Sequence, residues 1–207
     1  MINLQPLDIL VNVNTGNDLW HKITRWATGE YSHVFMYMGK INFINNQTPK
    51  NKQILTPFWY ENAPMIYESN ARGVCLRHLI SRMDQDVVVM RLKKEYYTPS
   101  LVKNVITEAI KIFSNEASKY DYPAILTQVF FRVLIDKLKL PIPKKWNIDK
   151  KQICSEAVLE AFRTTNIKVL NEDVGIPLPV DYVLDTQVLE EVYRGKLSFE
   201  ILNNIKF

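Results

Sequence analysis

The order of the apolar segments along the chain most constrains its fold. Short runs with the apolar pattern of strands all fall before residue 93, at 8–11, 34–38, 65–68, 74–77 and 87–92. Segments with helical spacing dominate the rest of the chain. A block of strands followed by helices predicts an α+β domain, not alternating β-α-β units. Residues 41–62, rich in Asn, Gln and Lys, predict a long loop between two of the strands.

Four helices are predicted. The first precedes the second strand, where Asn17 or Asp18 can serve as its cap. The second begins after Thr98, whose hydroxyl caps a helix that has proline in its first turn. The third follows Pro123, and the fourth begins near Ile153.

Length and charge limit the class of protein. With 207 residues, 47% of them hydrophobic, the chain can bury one core, and we expect a single domain over 1–207 with a candidate helical insertion or lid at 123–150. The 26 Lys and Arg are nearly balanced by 22 Asp and Glu, and a net charge of +4 is too weak to indicate a nucleic-acid partner.

Targeting signals are not apparent. Residues 1–13 lack the basic and apolar regions of a signal peptide, and no stretch reaches the roughly 18 apolar residues of a membrane span. Two cysteines, Cys75 and Cys154, are too few for a disulfide framework. We therefore expect a cytoplasmic protein, with a virion or delivery to a cell wall as alternatives.

Three side chains can form a nucleophile, a base and an orienting group: the Cys154 thiol, the His33 imidazole and the Glu68 carboxylate. A helix start lowers the pKa of a thiol, and Cys154 is predicted at such a start. Each residue also has a simpler interpretation. Cys154 shares an apolar stripe with Ala157 and Val158, a pattern that by itself favours an inert buried thiol. His33 is equally well a hydrogen-bonded core histidine, and Glu68 can cap a strand and face solvent.

Several short motifs occur in an order that resembles circularly permuted NlpC-like cysteine hydrolases, the YiiX-like group. Its histidine motif is similar to Tyr31-Ser32-His33-Val34 with Gly39 at the strand end, and its cysteine motif is similar to Ile153-Cys154-Ser155-Glu156. The other matching stretches are Tyr67-Glu68-Ser69, Gly73-Val74, Tyr120-Asp121-Tyr122, Pro179-Val180-Asp181 and Leu7-Asp8-Ile9-Leu10. The last departs from the group's pattern, because Leu7 stands where the group has glycine.

The resemblance implies a permuted papain-like fold, with an antiparallel sheet or barrel-like strands packed against helices. It implies Cys154 as nucleophile, His33 as general base and acid, and Glu68 as orienter. The Cys154 backbone N–H would hold the oxyanion, with Tyr31 or Tyr122 as a candidate second donor. The expected reaction is hydrolysis of an amide, including peptide and cell-wall peptide bonds, or of an ester through an acyl-enzyme. No metal or cofactor is expected.

Two alternatives remain at this point. The chain can be an inactive binding or structural module with the same fold, or a lipid acyltransferase of a related branch. Phe130 and Phe131, with Lys137 and Lys139 close by, can form a basic amphipathic surface that touches anionic lipid. A core-packed helix with solvated lysines is the interpretation we favour for that segment.

Overall fold

A computed structural model describes residues 2–16, 30–70, 73–115, 154–171 and 177–203 of this chain. The helix predicted to follow Asn17 or Asp18, the helix predicted after Pro123, Tyr122 and the candidate lid at 123–150 lie outside the described residues. Within the described residues, no helix is long and apolar enough to cross a membrane.

A six-stranded antiparallel sheet forms the centre of the fold. Its strands are β1 (Ile9–Val13), β2 (Tyr31–Lys40), β3 (Pro64–Asn70), β4 (Gly73–His78), β5 (Asp86–Leu92) and β6 (Leu189–Lys196). They lie in the order β4-β3-β2-β1-β5-β6, and every neighbouring pair is antiparallel. The α+β class and the antiparallel sheet are confirmed. The barrel-like alternative is wrong for the described strands, because β4 and β6 lie at opposite edges of an open sheet.

The helices are α1 (Ile41–Gln47), α2 (Pro99–Phe113), α3 (Cys154–Phe162), α4 (Pro179–Leu184) and α5 (Phe199–Asn203). Short 3-10 helices occur at Lys50–Lys52, Phe58–Tyr60 and Leu79–Arg82. The predicted loop at 41–62 is wrong in part. It begins with α1, whose Ile41 and Ile44 are buried in the core.

The two faces of the sheet carry different layers of core, as alternation along the strands requires. On one face α3 packs over β2 and β3, and α2 packs beside it against α3 and β4. The buried side chains on this face include Val34, Met36, Tyr67, Ile106, Ala109, Ala157 and Val158. The cap of α2 is as predicted, since the Leu101 N–H donates to the Thr98 hydroxyl over 3.2 Å. On the other face a smaller cluster includes Leu4, Leu10, Phe35, Tyr37, Val89 and Ile201.

Leu7 has a backbone that a glycine would adopt more readily. Its φ is 73°, in the left-handed region, and its side chain is only 1% exposed. The Leu7 N–H donates to the Tyr37 carbonyl over 2.8 Å, which ties the segment before β1 to β2. The glycine of the resembling motif therefore fits the backbone here, whereas this chain uses the same position to bury a leucine.

Candidate active site

His33 enters the site from the first part of β2. His33 pairs with Asn12 and Tyr31 pairs with Val13, so Ser32 is an extra residue that forms a bulge in the β1–β2 ladder. Bulges of this kind redirect neighbouring side chains. The His33 side chain is 17% exposed, which keeps the imidazole accessible while most of its surface is buried.

Glu68 lies on β3 and is fully buried, so the prediction that it could face solvent is wrong. Its Oε2 lies 3.1 Å from His33 Nε2. Burial alone would raise the pKa of Glu68, but the hydrogen bond and charge of His33, together with Arg82, outweigh it and lower the pKa to about 2. Glu68 therefore stays a carboxylate through the physiological range and can hold the His33 ring in one orientation.

Arg82 is a member of the site that the sequence did not predict. It ends the 3-10 helix after β4, and its Nε and Nη2 donate to Glu68 Oε2 over 3.0 and 2.6 Å. Its guanidinium also stacks on the Phe35 ring, with 5.6 Å from Cζ to the ring centroid. Arg77 adds a longer contact of 3.4 Å to Glu68 Oε1. The Arg82 Nη2 lies 3.1 Å from His33 Nε2, which places a fixed positive charge beside the imidazole.

Cys154 is the first residue of α3, close to the helix start that the sequence predicted. It is half-buried and is not in a disulfide. Burial alone would raise the pKa of the Cys154 thiol. The charge and hydrogen bond of His33, with the backbone N–H groups of Val34 and Ser155, lower that pKa instead.

The structure brings His33, Glu68 and Cys154 together. Burial alone would lower the pKa of His33, but the charge and hydrogen bond of Cys154, then the hydrogen bond to Glu68, raise it to about 9. Because Nε2 faces Glu68, Nδ1 is the ring nitrogen left for the sulfur. Opposite pKa shifts in the two partners are what a thiolate–imidazolium pair produces.

Two hydrogen bonds fix the start of α3 against α4. The buried Ser155 hydroxyl donates to the Pro177 carbonyl over 2.6 Å, and the Tyr182 hydroxyl donates to the Ser155 carbonyl over 2.6 Å. Asp181 accepts from the Leu178 N–H over 2.6 Å and so caps α4. Ser155 and α4, which begins with the Pro-Val-Asp motif, thus both fix the position of Cys154.

Cys75 lies in a different environment. It is on β4 and pairs with Glu68 across the β3–β4 ladder. Burial and the Glu68 charge raise the pKa of Cys75 to about 11, so this thiol stays protonated at neutral pH. Asn70 Nδ2 donates to its sulfur over 3.0 Å.

The sequence also suggested Tyr31 and Tyr122 as candidate oxyanion donors. The Tyr31 hydroxyl accepts a hydrogen bond from Arg194 Nη1 over 3.3 Å, which anchors it to β6. Tyr122 lies outside the described residues. His78 caps the 3-10 helix that carries Arg82, because its Nδ1 accepts from the Ile80 N–H over 3.0 Å.

Comparison with known proteins adds one fold relationship. No protein-family model matches the sequence, and no curated protein matches it. A solved structure, the crystal structure of metalloprotein YiiX from Escherichia coli O157:H7, matches with a TM-score of 0.57 at 17% identity. The match covers 93% of this chain and 98% of that chain. The chain has a YiiX-like fold. At this identity the YiiX likeness concerns the fold alone, and it agrees at that level with the resemblance of the motifs.

Proposed function

We propose that this protein is a thiol hydrolase of the permuted papain-like type, with Cys154 as nucleophile, His33 as base and acid, and Glu68 as orienter. The observation that carries the proposal is the pairing of Cys154 with His33 at a helix start, with opposite pKa shifts in the two groups. Structural cysteines ordinarily keep their proton, as Cys75 does here. The substrate class that suits a thiolate is an amide, such as a peptide bond, or an ester.

The reaction follows from these positions. The Cys154 thiolate attacks the carbonyl carbon, forming an S–C bond and an oxyanion that the Cys154 backbone N–H can bind. The imidazolium of His33 gives its proton to the leaving amine or alcohol as the C–N or C–O bond breaks. His33, now neutral, takes a proton from water, and the hydroxide attacks the acyl group. The S–C bond then breaks, the acid is released, and the ion pair forms again.

A metal does not fit this site, although the matching YiiX protein is described as a metalloprotein. The described residues contain no group of three His, Cys, Asp or Glu side chains that could hold a metal ion. Glu68, the buried carboxylate of the site, already accepts from Arg82 and Arg77, whose charges would repel a cation. We therefore assign no step to a metal.

Thiol alkylation tests the pair, because Cys75 serves as a control within the same molecule. We expect iodoacetamide to modify Cys154 at about pH 6.5, well below the ordinary thiol pKa of about 8.5, while Cys75 stays unmodified. The rate at Cys154 should change as pH rises through about 9, where His33 loses its proton. In the His33→Asn variant, Cys154 should react only near the pH of an ordinary thiol. Peptide mapping by mass spectrometry separates the two cysteines.

Turnover is tested with model substrates. An activated peptide ester should leave an acyl adduct on Cys154 in the wild type and in Cys75→Ser, but not in Cys154→Ser. A Cys154 that is alkylated only after unfolding would contradict the proposal. Fast alkylation without any acyl adduct from peptide, ester or phospholipid would favour a binding module that keeps the fold without the reaction.

A further inference from the structure

The segment between α1 and β3 exposes large apolar side chains at its tip. Leu55 is 95% exposed, and Phe58 and Trp59 are each 82% exposed. Of the eight large apolar side chains that are exposed in the described part of the chain, four lie between residues 55 and 60. Single exposed apolar residues are ordinary, but four within six residues form a patch, which we call the aromatic tip.

Hydrogen bonds from α1 hold this tip in place on both sides. On one side Asn45 accepts from the Ile54 N–H over 2.8 Å and donates to the Ile54 carbonyl over 3.0 Å. On the other side the Asn42 N–H donates to the Glu61 carbonyl over 2.9 Å, and the Ile41 N–H donates to the Ala63 carbonyl over 3.2 Å. The segment is therefore fixed to α1 at both ends.

A 3-10 turn then presents the aromatic residues. Pro57 precedes the turn Phe58–Tyr60, and the Tyr60 N–H donates to the Pro57 carbonyl over 2.8 Å. The Tyr60 ring packs 5.8 Å from the His78 ring, which ties it to the end of β4. The Tyr60 ring is thus held against His78, whereas Phe58 and Trp59 project into solvent from a fixed backbone. Pre-organised exposed aromatic rings contact a partner with little loss of conformational entropy.

The charges and residue types beside the tip favour one kind of partner. Lys50 and Lys52 are exposed in the preceding 3-10 turn, and Glu61 is the single acidic residue between positions 50 and 61. Trp, Tyr, Phe and Leu next to lysines are the residues that enter a membrane interface with anionic headgroups. We propose that the aromatic tip docks this protein on an anionic lipid surface, with Phe58 and Trp59 entering the interface and Lys50 and Lys52 facing the headgroups.

Vesicle flotation with the whole 207-residue chain tests this proposal. We expect binding to phosphatidylcholine vesicles containing about 30% phosphatidylglycerol, weaker binding to pure phosphatidylcholine, and weakening by salt. The double variant Phe58→Ser/Trp59→Ser should bind at least about tenfold more weakly, because it removes the apolar groups that enter the interface. Lys50→Glu/Lys52→Glu should lose the preference for anionic vesicles while it keeps the residual binding to neutral ones.

Matched controls are available elsewhere on the surface. Leu184 and Phe199 are 72% and 57% exposed and lie outside the tip, so Leu184→Ser and Phe199→Ser should bind vesicles as the wild type does. Thermal unfolding and the rate of Cys154 alkylation should be the same in all of these variants, which separates docking from the proposed reaction.

Three outcomes would overturn the proposal. The first is no binding to anionic vesicles, and the second is equal binding by the wild type and Phe58→Ser/Trp59→Ser. The third is a concentration-dependent dimer that this variant abolishes in the absence of vesicle binding, which would assign the tip to a second copy of the chain.

Discussion

Two buried carboxylates in this fold are paired with arginines, yet their surroundings shift their pKa values in opposite directions. Asp8 lies immediately before β1, where Arg91 donates two hydrogen bonds of 2.8 and 2.7 Å to it and the Gln5 N–H donates one of 2.9 Å. Glu68 lies on β3 and accepts from His33, Arg82 and Arg77. We call these the Asp8 cluster and the Glu68 cluster.

The pKa values differ in direction because the number of cations differs. Burial is the largest influence on Asp8 and raises its pKa, against the opposing pull of Arg91. Burial also acts to raise the pKa of Glu68, but the hydrogen bonds and charges of His33 and Arg82 outweigh it. Arg91 alone fixes the position of Asp8, and burial still disfavours the charged form of that carboxyl group. In the Glu68 cluster the carboxylate stays charged and can hold a hydrogen bond with His33. The Asp8 cluster joins the segment before β1 to β5, whereas the Glu68 cluster orients the imidazole that we propose as the base.

Lowering the pH should therefore change the contributions of the two clusters to folding stability in opposite directions. The folded-state pKa of Glu68 lies below its ordinary value of 4.5, so its contribution to stability is present above about pH 4.5 and is lost as the pH falls toward 2. The folded-state pKa of Asp8 lies above its ordinary value, so protonation of Asp8 favours the folded state.

Removing Arg91 should have the largest effect on folding. Arg91→Met leaves Asp8 buried without its cation, and we expect a loss of about 3–5 kcal/mol in the free energy of unfolding, measured by urea denaturation. The double variant Asp8→Asn/Arg91→Met should recover part of that loss, because it removes the unpaired charge. Cys154 alkylation per folded molecule should stay normal. A large change in the rate of Cys154 alkylation would contradict the separate roles of the two clusters.

Removing Arg82 should have a smaller effect on folding and a larger one on the site. Arg82→Met should cost about 2–3 kcal/mol, since hydrogen bonds to a charged group are lost. It should also raise the pKa of His33, because the Arg82 charge acts to lower that pKa. Proton NMR titration of the His33 ring measures the shift.

Arg77→Met is the matched control for Arg82→Met. Arg77 is 45% exposed and lies 3.4 Å from Glu68, so we expect a cost below about 1 kcal/mol and little change in the His33 titration. If the two variants behave alike, the shorter contacts of Arg82 are not what distinguishes the Glu68 cluster.

Leu7→Gly perturbs the backbone beside Asp8 without touching any charge. Glycine relieves the left-handed φ but removes a buried side chain, and we expect a net loss of about 1–3 kcal/mol by urea denaturation. Asp84 also has a positive φ, 64°, but its side chain is exposed, so Asp84→Gly should change stability by less than about 0.5 kcal/mol. A gain in stability from Leu7→Gly would mean that strain, not burial, dominates the segment before β1.

Much of the sheet could be predicted because β1 to β5 are apolar runs bounded by turns. β6 was missed, since Glu190, Glu191 and Arg194 give this edge strand the composition of a polar tail. α1 was also missed, because its asparagines are poor helix formers and its stability comes from the burial of Ile41 and Ile44.

The candidate site divides in the same way. His33, Glu68 and Cys154 occur in recognisable motifs, so the sequence could single them out although they lie far apart along the chain. Arg82 has no motif around it, and its partners Glu68 and His33 lie 14 and 49 residues away. Arg82 reaches Glu68 and His33 because the chain turns back after β4, and no local sequence pattern indicates such a contact.

The position of Cys154 in the sequence determines when the site can assemble during synthesis. His33 and Glu68 belong to the first half of the chain, whereas Cys154 lies in its last third, after β1 to β5. During synthesis the imidazole and its carboxylate can meet while the thiol has yet to be made. The thiol that we propose as nucleophile thus meets its imidazole only when α3 docks on the sheet, and we expect the rate of Cys154 alkylation during refolding to report that step.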